Sequence, residues 1–166
     1  MRTLDIFSTQ RIRYRGKYSF EEVYKAIYDT LEDKKYDVQE SNYVESKNDM
    51  INVTIKSQRE ITALIRRRIE VKVIAYETQE FSVEVDGETK KMMDGRFTAA
   101  ITGYVDIDYR EIFSDVGPFG DLTPNLLAFI QDGPFSKYIS NTYFGPVYVD
   151  ALGVQGSINK ALGRET

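Results

Sequence analysis

The chain has 166 residues, of which 42% are hydrophobic, 13% aromatic and 29% charged, with a formal net charge of −4. That is the length of one domain with a core of its own, too charged for a membrane-embedded protein and without the roughly 20-residue apolar run of a bilayer crossing. Cysteine and histidine are both absent, which excludes disulfide frameworks, Cys-His and Ser-His-Asp nucleophiles and zinc sites of the usual ligand type.

The first seven residues, Met1 to Phe7, lack the apolar core of a signal peptide, so cytoplasmic synthesis is expected. Residues 11–18 alternate strictly: Arg11, Arg13, Arg15 and Lys17 on one side, Ile12, Tyr14, Gly16 and Tyr18 on the other. Period two predicts a strand with one basic face. A helix start follows, with Ser19 as cap and Glu22 three residues on. Phe20, Val23, Tyr24, Ile27, Tyr28 and Leu31 then fall on one helical stripe. Cations at Lys34 and Lys35 suit its negative end.

Strands are expected next over 36–44, around 51–56, over 65–75 and over 81–85. Asp86-Gly87 is a hairpin signal, residues 89–93 pair back across it, and Asp94-Gly95 offers a second turn. The last strand places Phe97, Ala99, Ile101, Gly103, Val105 and Ile107 inward, with Thr98, Thr102, Tyr104, Asp106 and Asp108 outward. The expected class is α+β: an antiparallel sheet packed on the N-terminal amphipathic helix, with short C-terminal helices.

From residue 111 the texture changes. Residues 111–166 hold 3 of the 22 Lys and Arg, 6 of the 26 Asp and Glu, and all 4 prolines. Thr123-Pro124 opens a short helix, residues 136–143 suggest another that Gly145-Pro146 breaks, and 147–162 read as a helix weakened by Gly153 and Gly156. Residues 1–110 thus form a core, with 111–166 a charge-poor docking segment of the same domain.

Four candidate sites emerge. Arg11, Arg13, Arg15 and Lys17 form a basic strand face able to contact phosphates, with Tyr14 or Tyr18 stacking on bases. The alternative is a solvated face paired with Glu40, Glu45, Glu70, Glu84 and Glu88. In the triplet at 66–68, Arg66 and Arg68 point one way and Arg67 points into the apolar face. Asp106 and Asp108, near Asp94 and Glu111, could hold a hard cation or divide acid and base roles, or be solvated strand-end carboxylates. Met92, Met93 and Phe97 with the inward residues could line a helix-grip-like cavity for a small hydrophobic ligand, or fill a core. Phe119, Phe129, Phe135, Tyr138, Tyr143, Phe144 and Tyr148 suit burial against a partner, or could cover the chain's own sheet.

The runs Tyr14-Arg15-Gly16-Lys17-Tyr18-Ser19-Phe20, Val85-Asp86-Gly87-Glu88-Thr89-Lys90-Lys91 and Gly103-Tyr104-Val105-Asp106-Ile107-Asp108-Tyr109 resemble a group of small archaeal and viral proteins without an assigned activity. More loosely, a helix, long hairpins and a closing helix are similar to the tail and neck proteins of tailed viruses, which implies a ring-forming, non-enzymatic role. The leading expectation is a structural or interaction protein without enzymatic activity, a subunit of an assembly such as a virion or filament. It would dock through its C-terminal segment onto copies of itself or other subunits, with no cofactor, no metal and no membrane. A hydrophobic-ligand carrier is the alternative. A nucleic-acid binder is the second, which the net charge of −4 disfavours.

Overall fold

The computed structural model describes residues 2–46, 50–111, 137 and 140–164. Among these, six strands form one antiparallel sheet: β1 (Arg2–Asp5), β2 (Gln10–Tyr18), β3 (Asp37–Ser46), β4 (Met50–Glu60), β5 (Ile65–Val85) and β6 (Glu88–Ile107). The order is β1-β6-β5-β4-β3, and β2 pairs with β6 beside β1. Two helices with described bounds accompany the sheet, α1 (Phe20–Asp33) and α2 (Gly145–Ala161), the second preceded by a π-helical turn, Ser140–Phe144.

The expected arrangement, a sheet packed on the N-terminal helix with only short helices at the C-terminus, is overturned. The helix on the sheet is α2, 17 residues long. Its Val147, Ala151, Val154 and Ile158 are fully buried, at the i, i+4, i+7 spacing of one helical face. α1 is shorter, follows β2, and packs mainly on α2 and β3. Thr30 Oγ1 and Ser157 Oγ lie 2.6 Å apart across the two helices, and Lys34 and Tyr36 both reach Asp150, at 3.0 and 2.9 Å. A helix apolar on more than one side can be sandwiched where an amphipathic one cannot, and this decides which helix takes the sheet.

Pro146 stands in the first turn of α2, where its missing N–H costs nothing, so it opens a helix instead of breaking one. At Gly153 the Lys34 side chain passes close to the helix, 2.8 Å at Cε from where a Cβ would stand, and a side chain there would have to displace only that flexible end. Gly103 is a packing requirement of the sheet. Its absent side chain leaves a flat spot filled by Phe7 and by Val147 of α2.

The four short strands expected over 65–107 are two long ones. Asp86 and Gly87 form the hairpin loop, with φ of 52° and 83°, matching the left-handed pair that a two-residue turn demands. Asp94-Gly95 is not a turn. It lies within β6 opposite a bulge between Tyr76 and Gln79, where Glu77 has φ 55°. A Cβ on Gly95 would come within 2.8 Å of the Glu77 carbonyl oxygen, so the glycine serves the bulge. Past it the hairpin tip reaches α1, where Lys90 pairs with Glu22. The Ser19 cap forms as expected, its Oγ accepting from the Glu22 amide at 3.4 Å.

Candidate functional site

The inner face of the sheet is filled. Ile12, Val53, Ile55, Ile69, Val71, Val73, Ala99 and Ile101 share one core with the buried face of α2, all nearly or wholly excluded from solvent. The residues expected to line a cavity part company here. Phe97 joins the core at 1% exposure, whereas Met92 and Met93 line an open groove of about 450 Å³ outside it, with Phe20, Tyr24, Tyr43 and Ile51. That groove is rimmed by Glu21, Glu40, Glu45 and Glu80 against the single cation Lys91. Tyr24 Oη donates to Glu40 at 2.6 Å; burial first, then this bond, pushes its hydroxyl far above the ordinary tyrosine value.

Arg67 does point inward, as its position in the triplet requires. It is 7% exposed and donates to the Tyr143 and Thr142 carbonyls at 3.1 and 2.7 Å. Those carbonyls belong to the π-helical turn, so the buried guanidinium holds the entry to α2; burial lowers its pKa. Nothing in the alternation of β5 reveals the turn that receives it.

Asp106 and Asp108 do not form one site. Asp106 lies on the outer face with no solvent exposure. It accepts from Arg66 at 2.8 and 3.0 Å, from Arg68 at 2.6 and 2.9 Å, and from Thr3 at 2.7 Å. Burial alone would raise its pKa, but the bonds from Arg68, Thr3 and Arg66 outweigh that and hold it below 3.8. A carboxylate so saturated has no lone pair for a cation. Asp108 follows the end of β6 with φ 53°, leaving the strand's alternation. Among the described residues no group of three or more carboxylates could hold a metal ion.

The basic row on β2 is where the alternation places it. Arg11, Arg13, Arg15 and Lys17 are all exposed on the outer face. None of the three arginines has an ion pair with a described residue, so the expected glutamate partners are not there. Lys17 instead lies over the Phe81 ring at 5.5 Å, opposite Asp94. Tyr14 and Tyr18 cannot stack on a ligand of that face. They point inward, Tyr18 is 2% exposed, and burial pushes its hydroxyl up to about 12. Two further rings of the outer face are Tyr76 and Tyr104, beneath Arg96 and Arg68. Tyr104 is outward as the alternation of β6 places it, whereas Tyr76 is missed in the sequence and is brought to this face by the register.

Of the aromatics expected to meet a partner, Phe119, Phe129, Phe135 and Tyr138 lie outside the described residues. Tyr143 and Phe144 are half-buried, Phe144 against the core. Tyr148 is 44% exposed and packs edge-on to Phe7 at 5.4 Å. Its neighbours Val149 and Leu152, at 59% and 41%, continue an apolar face along α2 away from the sheet. A groove of about 340 Å³ between Leu4, Ile6, Phe144 and Tyr148, lined also by Asp5 and Ser140, adjoins it. Among the described residues no helix is long and apolar enough to cross a membrane.

No protein-family model matches the chain, and no curated protein does. Among solved structures, one similar to it is the di-domain ARO/CYC StfQ from the steffimycin biosynthetic pathway. The likeness is 7% identical with a TM-score of 0.25, and covers 93% of this chain and 51% of that one. The chain therefore spans about half the length of that structure. That neighbour is an aromatase/cyclase, and the expectation that the chain lacks enzymatic activity is withdrawn with no reaction put in its place. At such a TM-score the likeness assigns no chemistry here.

Proposed function

We propose that the chain is an interaction protein that associates with a second copy of itself through the outward face of α2. The observation that carries this is the exposure of Tyr148, Val149 and Leu152 on a helix whose opposite side is already buried in the core. A surface helix ordinarily turns polar residues to water, and one that is apolar all round is covered. The only charges in α2 are Asp150, which is tied to Lys34, and Lys160 near its end. A charge-free seam offers nothing to a charged partner, but it matches its own two-fold image, which needs only apolar contact. The groove beside Phe144 and Tyr148 is of a size to receive a ring from the neighbouring copy.

Sedimentation velocity on the full chain over a concentration series tests the reading. The expected result is a dimer that dissociates on dilution, and a Leu152→Glu variant that stays monomeric with an unchanged circular dichroism spectrum. A wild-type chain that remains monomeric at about 100 μM, where contacts of millimolar to micromolar affinity become visible, would overturn it.

A further inference from the structure

We infer that the outer face of the sheet, opposite both helices, is a binding surface for extended single-stranded nucleic acid. The register lays out the surface row by row. Arg11 stands beside Ala100 and then Lys72; Arg13 beside Thr98 and then Ile74; Arg15 beside Arg96 and then Tyr76. Arg11, Arg13, Arg15 and Lys72 are exposed and lack an ion pair with a described residue. Between the arginine row and β5, strand β6 presents the small Ala100 and Thr98 and, beside Arg15, Arg96, so the surface is a shallow trough with a cationic bank.

Alternate strand residues are spaced at roughly 6.8 Å, the order of successive phosphates along an extended single strand. A row of arginines at that pitch can meet phosphates one after another, and each carries a planar fork suited to phosphate oxygens. Tyr76 lies at one end of the trough and Tyr104 at the other, each already stacked on an arginine at 5.9 and 4.9 Å. From Arg96 to Tyr104 is eight residues of β6, roughly 27 Å at the usual strand rise, enough for a short run of nucleotides. At the Tyr104 end the trough opens into a polar hollow of about 260 Å³ lined by Lys56, Gln58, Arg66, Arg68 and Glu70.

The chain's acids do not cancel this face. Glu77 is paired with Arg96, Asp106 is enclosed by Arg66 and Arg68, and Asp94 lies opposite Lys17. Glu70, Asp37 and Asp5 flank the Tyr104 end. Glu21, Glu40, Glu45 and Glu80 rim the separate groove beside α1. The net charge of −4 thus hides a segregated cationic strip. Phosphate contacts supply affinity and its salt dependence; the two rings supply stacking that needs no base sequence. The rings favour nucleic acid over other polyanions, since a lipid headgroup or sulfated sugar has no base to stack.

Fluorescence anisotropy with labelled oligo(dT) and oligo(U), on the full chain at several salt concentrations, tests this. The expected result is binding that weakens as salt rises. Replacing Arg11, Arg13 and Arg15 together by Gln should lower affinity tenfold or more and flatten the log–log salt slope by about 2, at roughly 0.7 per phosphate contact. Tyr76→Ala and Tyr104→Ala should each weaken binding by about fivefold to a hundredfold with the slope unchanged. The three arginine positions are exposed and their replacement leaves the fold intact, and circular dichroism checks this for every variant. The inference is overturned if no oligonucleotide binds at low salt, or if the triple substitution changes nothing. It is also overturned if phosphatidylserine vesicles or heparin bind as well as the oligonucleotides and the tyrosine variants are silent, for the face would then recognise charge alone.

Discussion

Replacing Asp106 by Asn tests how the outer face is held together. The carboxylate has no solvent exposure and gathers four hydrogen bonds from Arg66 and Arg68 and one from Thr3. The amide keeps the shape, loses the charge, and turns a donor toward guanidinium groups that can only donate. Breaking a fully buried pair costs about 3–5 kcal/mol. Here the arginine side chains keep 22% and 31% of their exposure, so water takes up part of the loss and about 2–3 kcal/mol is expected. In a chain of this size that lowers Tm by about 4–12 °C, at 2–4 °C per kcal/mol. The pH dependence has a definite sign. The folded pKa lies below 3.8, so the stabilisation is complete above the unfolded value and is lost as pH falls through the folded one. Urea unfolding followed by circular dichroism should therefore separate wild type from Asp106→Asn at pH 7 and bring them together well below pH 4. Equal stability at pH 7, within about 0.5 kcal/mol, would refute the argument.

The remaining predictions concern packing and capping. Gly103→Val should destabilise by about 2 kcal/mol or more, because even a Cβ would stand 2.5 Å from Phe7 Cε1 and 2.7 Å from Val147 Cγ1; thermal unfolding measures it. Ser19→Ala should cost about 1 kcal/mol by leaving the Glu22 amide without its cap, read from the urea midpoint at constant m-value.

Local signals in the sequence located the elements whose cause is local. The Ser19 cap, the stripe from Phe20 to Leu31, the Asp86-Gly87 loop and the alternation of β2 and β6 all need only neighbouring residues to take effect. What stayed hidden depends on partners distant in the chain. Arg2 to Asp5 has little strand pattern of its own, and becomes β1 by pairing with residues 104–107 of β6. Gly95 reads as a turn because its reason is Glu77, in a bulge on another strand. α2 reads as frayed because Gly153 and Gly156 lower its intrinsic propensity, whereas burial of Val147, Ala151, Val154 and Ile158 overrides that. The basic row and the outward Tyr104 were legible, but the lack of an ion pair between the three arginines and any described residue, and the placing of Tyr76 beside Arg15, required the structure.

The two faces of the sheet explain the uneven charge of the sequence. One face is committed to the core, so the buried apolar residues of β2, β4, β5 and β6 and of both helices serve a single interior. Among the described residues no helix lies over the other face, which there meets water or a ligand. Ordinary solubility would be met there by interleaved acids and bases in cross-strand pairs. Strand β2 departs from that solution: three arginines stand in a row, facing Ala100, Thr98 and Arg96 without a single acid among them. Like charges brought together on a strand repel one another, a cost that solvation alone does not require the chain to bear. An anionic ligand of matching pitch removes the repulsion and turns it into affinity, and for that reason the outer face, rather than the filled interior, is where a ligand is to be sought.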